Sequence, residues 1–528
     1  MPVFRPFQRL SAAPTNPHAA PAAPRAFDVA ELYRGPVGAT PDGDGAPSLP
    51  LDEKLRQAYF WIVNTAIISP HYDVEYNAAP PQSYVVGDSK ARLTLPSAQS
   101  YSGYVLLPLL TFATRRKCLF VGGPGRGKTA SAVLMGVLAG YSVRDVRRAM
   151  QHGHPQLTVA DLLGMPLPAD LVNAQRLEDI RISWRQWLGM RVKIVDEYNR
   201  IPTRTQSALL TVMSDNYAEV LDHIYECPEA AWFLTANDDQ GGGTYQVIEA
   251  LRDRIDVVVQ ALAFNPRFLS ELLTRIEARI RAEEVVPREI VFSEDEVDRM
   301  QGEILAVALP DAVRRRLEFF ASQFELCEVA AEQLEYRTKD TARLAGAEWP
   351  ALTARDTGRD RLKDLGCQTK NGVSVRALMT LLHYSKAIAY FRGNGVVDLE
   401  DARQVLPFVL HDKLVPDHDA PFFEAPGNAM YRTDRIGWLR RLFDLSCAEY
   451  DRLDLDRDDP VAALAAELRA GLEGVNEREV RARLLKVERL VAELSKGRKL
   501  YGHLYDDLLT LKHIHQRYTN YRRWLETR

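Results

Sequence analysis

Between Leu95 and about Ala263, short apolar runs alternate with stretches whose apolar residues recur every three to four positions. A four- or five-residue apolar run reads as a strand buried on both faces, and a 3–4 spacing reads as a helix with one buried side. The alternation predicts a parallel sheet with helices on both faces. Strands are expected at 117–121, 192–195, 232–236 and 256–259. From 266 to 415 the pattern turns almost purely helical, most clearly at 270–282 and 375–391. The charged stretch 330–370, with Gly346, Pro350 and Gly358, reads as an insertion or loop.

The ends of the chain differ from this middle. Residues 1–50 are rich in Ala, Pro, Gly and Asp and carry too little apolar surface to order themselves, so they read as a flexible arm. Leu55, Ala58, Tyr59, Ile62 and Ala66 sit at helical spacing, which predicts an N-terminal helical extension over 51–93, stopped by Pro80-Pro81. Residues 416–440, with Pro416, Pro421, Pro426 and Gly427, read as a linker. Beyond it, Val480, Leu484, Val487, Val491 and Leu494 form one amphipathic series. Leu504, Leu508, Leu511, Tyr518 and Leu525 form another, after Gly497. Two such helices flanking a glycine predict a helical hairpin.

Composition changes this picture little. The 528 residues are 46% hydrophobic and 26% charged, with a net charge of −4, which speaks against general affinity for nucleic acid or membrane surfaces. Five dispersed cysteines without C-x-x-C spacing fit neither a disulfide framework nor a zinc site, and suggest a reducing cytoplasm. No apolar run reaches membrane-spanning length. His152 and His154 lack a nearby third ligand and read as a turn.

The chemistry enters at Val121-Gly122-Gly123-Pro124-Gly125-Arg126-Gly127-Lys128-Thr129-Ala130, where G-x-x-x-x-G-K-[ST] follows an expected strand and opens an expected helix. Glycines let the backbone curl so that its N–H groups face phosphate oxygens, and the helix N-terminus adds positive potential. Lys128 supplies a charge for the β- and γ-phosphates, and Thr129 a hydroxyl for Mg2+. Residues 122–130 are therefore expected to bind a nucleotide. Ile194-Val195-Asp196-Glu197 ends a second strand in two acids at the same sheet edge. Asp196 is placed to hold Mg2+ and Glu197 to polarise an attacking water.

The residues around these motifs resemble the MoxR-type AAA+ ATPases of the helix-2-insert clade. The resemblance rests on Asp196-Glu197-Tyr198-Asn199-Arg200, Pro202, Thr205–Leu210 and Met213. It extends to Asn237, Gly243-Thr244-Tyr245, Glu249-Ala250 and Asp253-Arg254, then to Gly372–Ala377 and 397–414. It covers about 105–415 and departs at Tyr198, Asp238, Gln246, Ile248, Ile255 and Val375. It implies an α/β fold, an AAA+ parallel-sheet P-loop core (94–265) with a helical lid (266–415), followed by an all-α C-terminal docking module (416–528). It also implies that 157–187 is the helix-2 insert. Asn237 then corresponds to the sensor that bonds the attacking water or γ-phosphate. Arg254 corresponds to the finger reaching a neighbour's ATP, with Arg252 as its rival. Arg376 corresponds to the lid arginine that reports nucleotide state.

A finger acting on a neighbour implies a homo-oligomeric ring, a hexamer in this family. The resemblance further implies ATP and Mg2+ as cofactors, a chaperone-like role on a protein client, and a partner with a von Willebrand A domain. Two other readings share the core: a nucleic-acid motor and a chelatase-type motor subunit. Arg498, Lys499, Arg517, Arg522 and Arg523 lie among Tyr501, Tyr505, Tyr518, Tyr521 and Trp524, as a nucleic-acid face would require. The acidic overall balance opposes that reading.

Overall fold

The computed structural model describes residues 49–527 except 69–70, 89–90, 175, 238–246, 262, 278–280, 347–363, 497–499 and 501. The N-terminal arm, apart from its last two residues, and the Gly243-Thr244-Tyr245 motif thus lie outside the described residues.

Five core strands form the central sheet: Lys117–Val121 (β1), Gln151–His152 (β2), Val192–Asp196 (β3), Ala231–Ala236 (β4) and Val257–Gln260 (β5). Their spatial order is β5-β1-β4-β3-β2 and every pairing is parallel. The four strands read from apolar runs are present, with ends displaced by at most one residue. β2 is only two residues long and offers no apolar run to read. Both sheet faces are buried, as the continuous runs require. Cys118 and Phe120 pack on one side, and Leu119 between them packs on the other.

In register, Val121 stands opposite Ala236 and Gln260, and Val195 opposite Leu234 and Gln151. The carboxyl ends of β1, β3 and β4 therefore align along one edge. The chain leaves β1 for the far edge of the sheet and steps back inward, so a crevice opens at that edge where the order reverses.

The helix after β1, Lys128–Leu138, buries Ala132, Val133, Leu134 and Met135. The lid helix Val375–Phe391 joins the same large core as one sheet face. Residues 157–187 contain an antiparallel pair, Gly164–Pro166 with Ile182–Trp184, and the short helices Val159–Leu162 and Pro168–Asn173.

Three segments depart from the expectations. The N-terminal helix spans Leu51–Trp61, continues as a π-turn over Ile62–Ala66, and stops well before Pro80. Val74–Tyr76 then pairs with Gln99–Tyr101, and Gln82–Val85 with Arg92–Leu95. The 51–93 segment is thus only half helical, because Val74 and Tyr76 alternate inward at period two. Its helix belongs to the main core: Arg56 donates to Phe391 O at 3.0 Å and the Tyr59 ring meets Phe391 edge-on.

Within 330–370, Lys339–Leu344 is helical, and the buried Lys339 ammonium donates to Gly366 O, Thr369 O and the Thr369 hydroxyl. Residues 347–363 lie outside the described residues. The 416–440 stretch is folded and does not form a loose linker. Phe422 and Phe423 are buried, Phe423 against Trp438 of the helix Arg435–Arg452. Burial of three large rings outweighs the prolines that suggested a linker.

The C-terminal helices Pro460–Arg469, Glu477–Leu494 and His503–Glu526 share a separate core of Val461, Val480, Leu484, Val487, Leu511, Ile514 and Tyr518. The expected hairpin is there, with a third helix covering it.

Candidate functional site

The loop after β1 wraps around its own lysine. Gly127 takes a left-handed conformation, φ 78°, that a side chain would disfavour, and caps the helix starting at Lys128. The Lys128 ammonium donates to Gly122 O at 2.6 Å, to Gly123 O at 2.8 Å and to Asn237 Oδ1 at 2.9 Å. Its charge is therefore held inside the loop, beside the helix N-terminus where unpaired N–H groups gather. Arg126 is drawn the other way, to Ala261 O just after β5.

Opposite the loop, Asp196 closes β3. Its Oδ1 accepts from Thr129 at 2.9 Å and from Thr235 at 2.6 Å. The Thr235 hydroxyl also accepts the Glu197 backbone N–H at 2.9 Å. Glu197 is left-handed, φ 54°, which is costly for a residue with a Cβ and is held here by its neighbours. That turn sends its carboxylate back over the sheet edge. Oε1 accepts from Asn237 Nδ2 at 2.7 Å, and Oε2 lies 3.2 Å from Arg200. Just after the edge strand, Gly153 N donates to Asp196 O at 2.7 Å, and His152 Nδ1 stands 3.6 Å from Asp196 Oδ2.

These groups line an open cleft of about 200 Å³, with Lys128, Thr129, Asp196, Glu197 and Asn237 around it. A second cavity of about 690 Å³ shares Gly125, Arg126, Gly127 and Ala130 with it. It is walled by Ile67 and Ile68 after the π-turn and by Tyr104. A polar, cation-bearing cleft beside a roomier, more apolar cavity suits a ligand with an anionic tail and a flat heterocyclic head. Thr129 and Asp196, which bond to each other, form a donor set that fits a hard divalent cation.

Sequence reading placed the loop, Thr129, Asp196, Glu197 and Asn237, and the structure brings all of them to this cleft. Arg254 and Arg376 are not among its lining residues. Arg254 donates back to Ala250 O at 2.9 Å, and its Nε has no partner among the described residues. Arg376 forms an ion pair with Asp253, the residue preceding Arg254. Arg252 is near enough to Asp412 and Tyr198 to act on both electrostatically. Arg254 and Arg376 thus lie outside their own chain's phosphate cleft, with Arg376 bound to the residue beside Arg254.

Thr235, His152, Arg200 and Gly153 were missed as site residues. Thr235 is a hydroxyl in an otherwise apolar strand, which was the available signal. Gly153 gave none. A Cβ there would overlap the Glu197 carbonyl, a contact made only once β2 docks on β3.

Residues 117–257 match the ATPase family associated with various cellular activities (AAA), and residues 366–430 match the AAA lid domain. The chaperone MoxR1 of Mycobacterium tuberculosis is 23% identical over 260 residues, 48% of this chain and 59% of that protein, so the chain spans under two thirds of this curated relative. A crystal structure of a candidate ATPase from Cytophaga hutchinsonii is 20% identical, covering 64% of this chain and 91% of its own, at a TM-score of 0.44. The five-stranded parallel sheet is the core of an AAA+ ATPase domain. A helical lid and an all-helical C-terminal region follow it.

Proposed function

We propose that this AAA+ chain is a MoxR-like, helix-2-insert ATPase. In this reading it hydrolyses ATP with Mg2+ in a head-to-tail ring, a hexamer, and drives remodelling or maturation of a protein complex. A von Willebrand A domain protein serves as its partner, and the location is cytoplasmic. One observation carries the reading. The phosphate cleft holds its lysine, its Thr129–Asp196 pair and its Glu197–Asn237 pair, whereas Arg254 and Arg376 stand together elsewhere. A site so divided is completed when a second copy presents its arginines to the first, and head-to-tail contacts that close produce a ring.

Each residue then has a task. Lys128 exchanges its loop carbonyls for phosphate oxygens. Thr129 and Asp196 would hold Mg2+, whose charge would offset that of the phosphates. The Glu197 carboxylate accepts a hydrogen bond from the attacking water and aligns it, while Asn237 steadies that carboxylate. The neighbour's Arg254 and Arg376 spread their N–H forks over the developing phosphoryl charge. Hydrolysis alters the seating of the lid on the core, and the ring passes this on to its client.

The nucleic-acid reading loses support. Tyr505 and Tyr518 are buried, and Tyr521 is half-buried and bonded to Val475 O, so these rings serve the helical bundle. Arg498, Lys499 and Tyr501 lie outside the described residues. Among the described residues no helix is long and apolar enough to cross a membrane, and all five cysteines are free.

The test is Mg2+-dependent ATP hydrolysis by the purified chain, with its mass measured by light scattering with and without ATP. Turnover that rises with protein concentration as rings assemble is expected. A monomer that hydrolyses at full rate, or no hydrolysis at all, overturns the proposal.

A further inference from the structure

Where the core meets the lid, the Lys413 ammonium has no hydrogen-bond partner among the described residues. Asp253 ends the helix Glu249–Asp253, Arg376 opens the lid helix Val375–Phe391, and Lys413 follows the helix Leu399–Leu410. Asp253 is paired with Arg376. The Lys413 Nζ is enclosed and makes no hydrogen bond among the described residues, although its own backbone carbonyl is held by Asn371 at 2.6 Å. Enclosing an ammonium without a hydrogen bond is costly, so such a group persists only where a carboxylate is near. The carboxylates acting on it are Asp256 and Asp253, while Arg376 and Lys117 repel it and burial lowers its pKa.

These two carboxylates are not equivalent. Asp256 is almost fully buried and already accepts from the Lys117 N–H at 2.9 Å and from the Thr380 hydroxyl at 2.7 Å. Among the described residues Asp253 is ion-paired with Arg376 alone, and that pair is open to water, with side chains 48% and 36% exposed. A half-exposed ion pair is weakly held. A phosphate offers the same guanidinium stronger, doubly hydrogen-bonded contacts.

We infer that Lys413 is the standby counter-ion of Asp253, taking its carboxylate when Arg376 is drawn to a nucleotide's phosphates. The inference rests on the reading that Arg376 acts on phosphate. The exchange keeps Asp253 paired with a cation and gives a partner to the Lys413 ammonium, which makes no hydrogen bond among the described residues. Both cations belong to the lid, so the helix that precedes Arg254 stays docked on the lid throughout. Lys413 is thus a positioning residue: it frees one arginine and keeps the other in place.

The test is a double-mutant cycle in steady-state ATP hydrolysis with the full chain. Lys413→Met is expected to lower kcat roughly tenfold with KM unchanged, and Lys413→Arg to stay within about threefold of wild type. In an Asp253→Asn background, where Arg376 needs no release, Lys413→Met is expected to have no further effect. Wild-type rates in Lys413→Met overturn the inference. So does an equal loss in both backgrounds, which would mark Lys413 as merely structural. A wild type that does not hydrolyse ATP overturns the functional reading itself and is seen before any variant is compared. Melting temperatures of the four proteins separate misfolding from lost exchange, since recovery in the double variant requires a folded chain.

Discussion

The Asn237 amide donates to Glu197 Oε1 at 2.7 Å, joining the residues that follow two neighbouring core strands. The same amide accepts from Lys128 through its oxygen at 2.9 Å. One side chain therefore touches both the lysine proposed to bind phosphate and the carboxylate proposed to polarise water. Asn237→Ala is expected to leave nucleotide affinity within a few-fold and to lower kcat about 10²–10³-fold, the range for losing one positioned donor. Fluorescent-nucleotide titration together with turnover checks both halves. Equal losses in affinity and rate would make Asn237 a plain binding residue.

Glu197→Gln keeps the shape and the bond from Asn237 but removes the basic oxygen. Turnover is expected to fall about 10²–10⁴-fold while ATP stays bound. Filter retention of labelled ATP after gel filtration measures the trapped state. Undiminished hydrolysis by this variant refutes the role.

If Arg254 is the proposed finger acting on a neighbour's phosphates, Arg254→Ala is expected to lower turnover about 10³–10⁵-fold. Mixing it with Glu197→Gln distinguishes action between chains from action within one. Mixed rings contain intact clefts facing intact fingers, so two inactive preparations should recover measurable activity. A mixture that stays inactive while mass measurement shows mixed rings argues for action within one chain.

Gly153→Ala is expected to destabilise the fold by about 1–3 kcal/mol, since a new methyl would meet the Glu197 carbonyl and push β2 off β3. Activity should fall more than stability, because the same backbone orients Glu197. Urea unfolding and turnover, measured together, test this.

The C-terminal bundle carries a pH dependence. Burial raises Asp506 to about 6, and burial with Asp459 and Asp506 nearby raises Asp507 to about 7; His503 is 4.0 Å from Asp507. A carboxyl raised in the fold binds its proton more tightly folded than unfolded. Stability therefore falls as pH climbs from about 4 through 7. Asp507→Asn should melt about 2–4 °C higher than wild type at pH 8, with the gap narrowing toward pH 5. A gap independent of pH removes the explanation.

Much of the nucleotide cleft was legible because its signals are local. A phosphate loop needs glycines and a lysine at fixed offsets between a strand and a helix, and Asp196-Glu197 ends an apolar run that could hardly be anything but a buried strand. The fold class followed from period and run length in the same way, since buried parallel strands and amphipathic helices write their burial into neighbouring residues. What escaped was non-local. The two residues of β2 acquire strand character only by pairing with β3. Thr235 becomes a site residue only because β4 lies beside Asp196. Phe422 and Phe423 turn a proline-rich stretch into core only when Trp438 arrives from the next helix. Fixed local offsets alone were enough to specify the Gly122–Thr129 loop and the Asp196-Glu197 strand end. Which face carries Arg254 and Arg376, and which ammonium waits beside Asp253, was decided by tertiary packing, because charge pairing depends on distances between segments that lie more than a hundred residues apart.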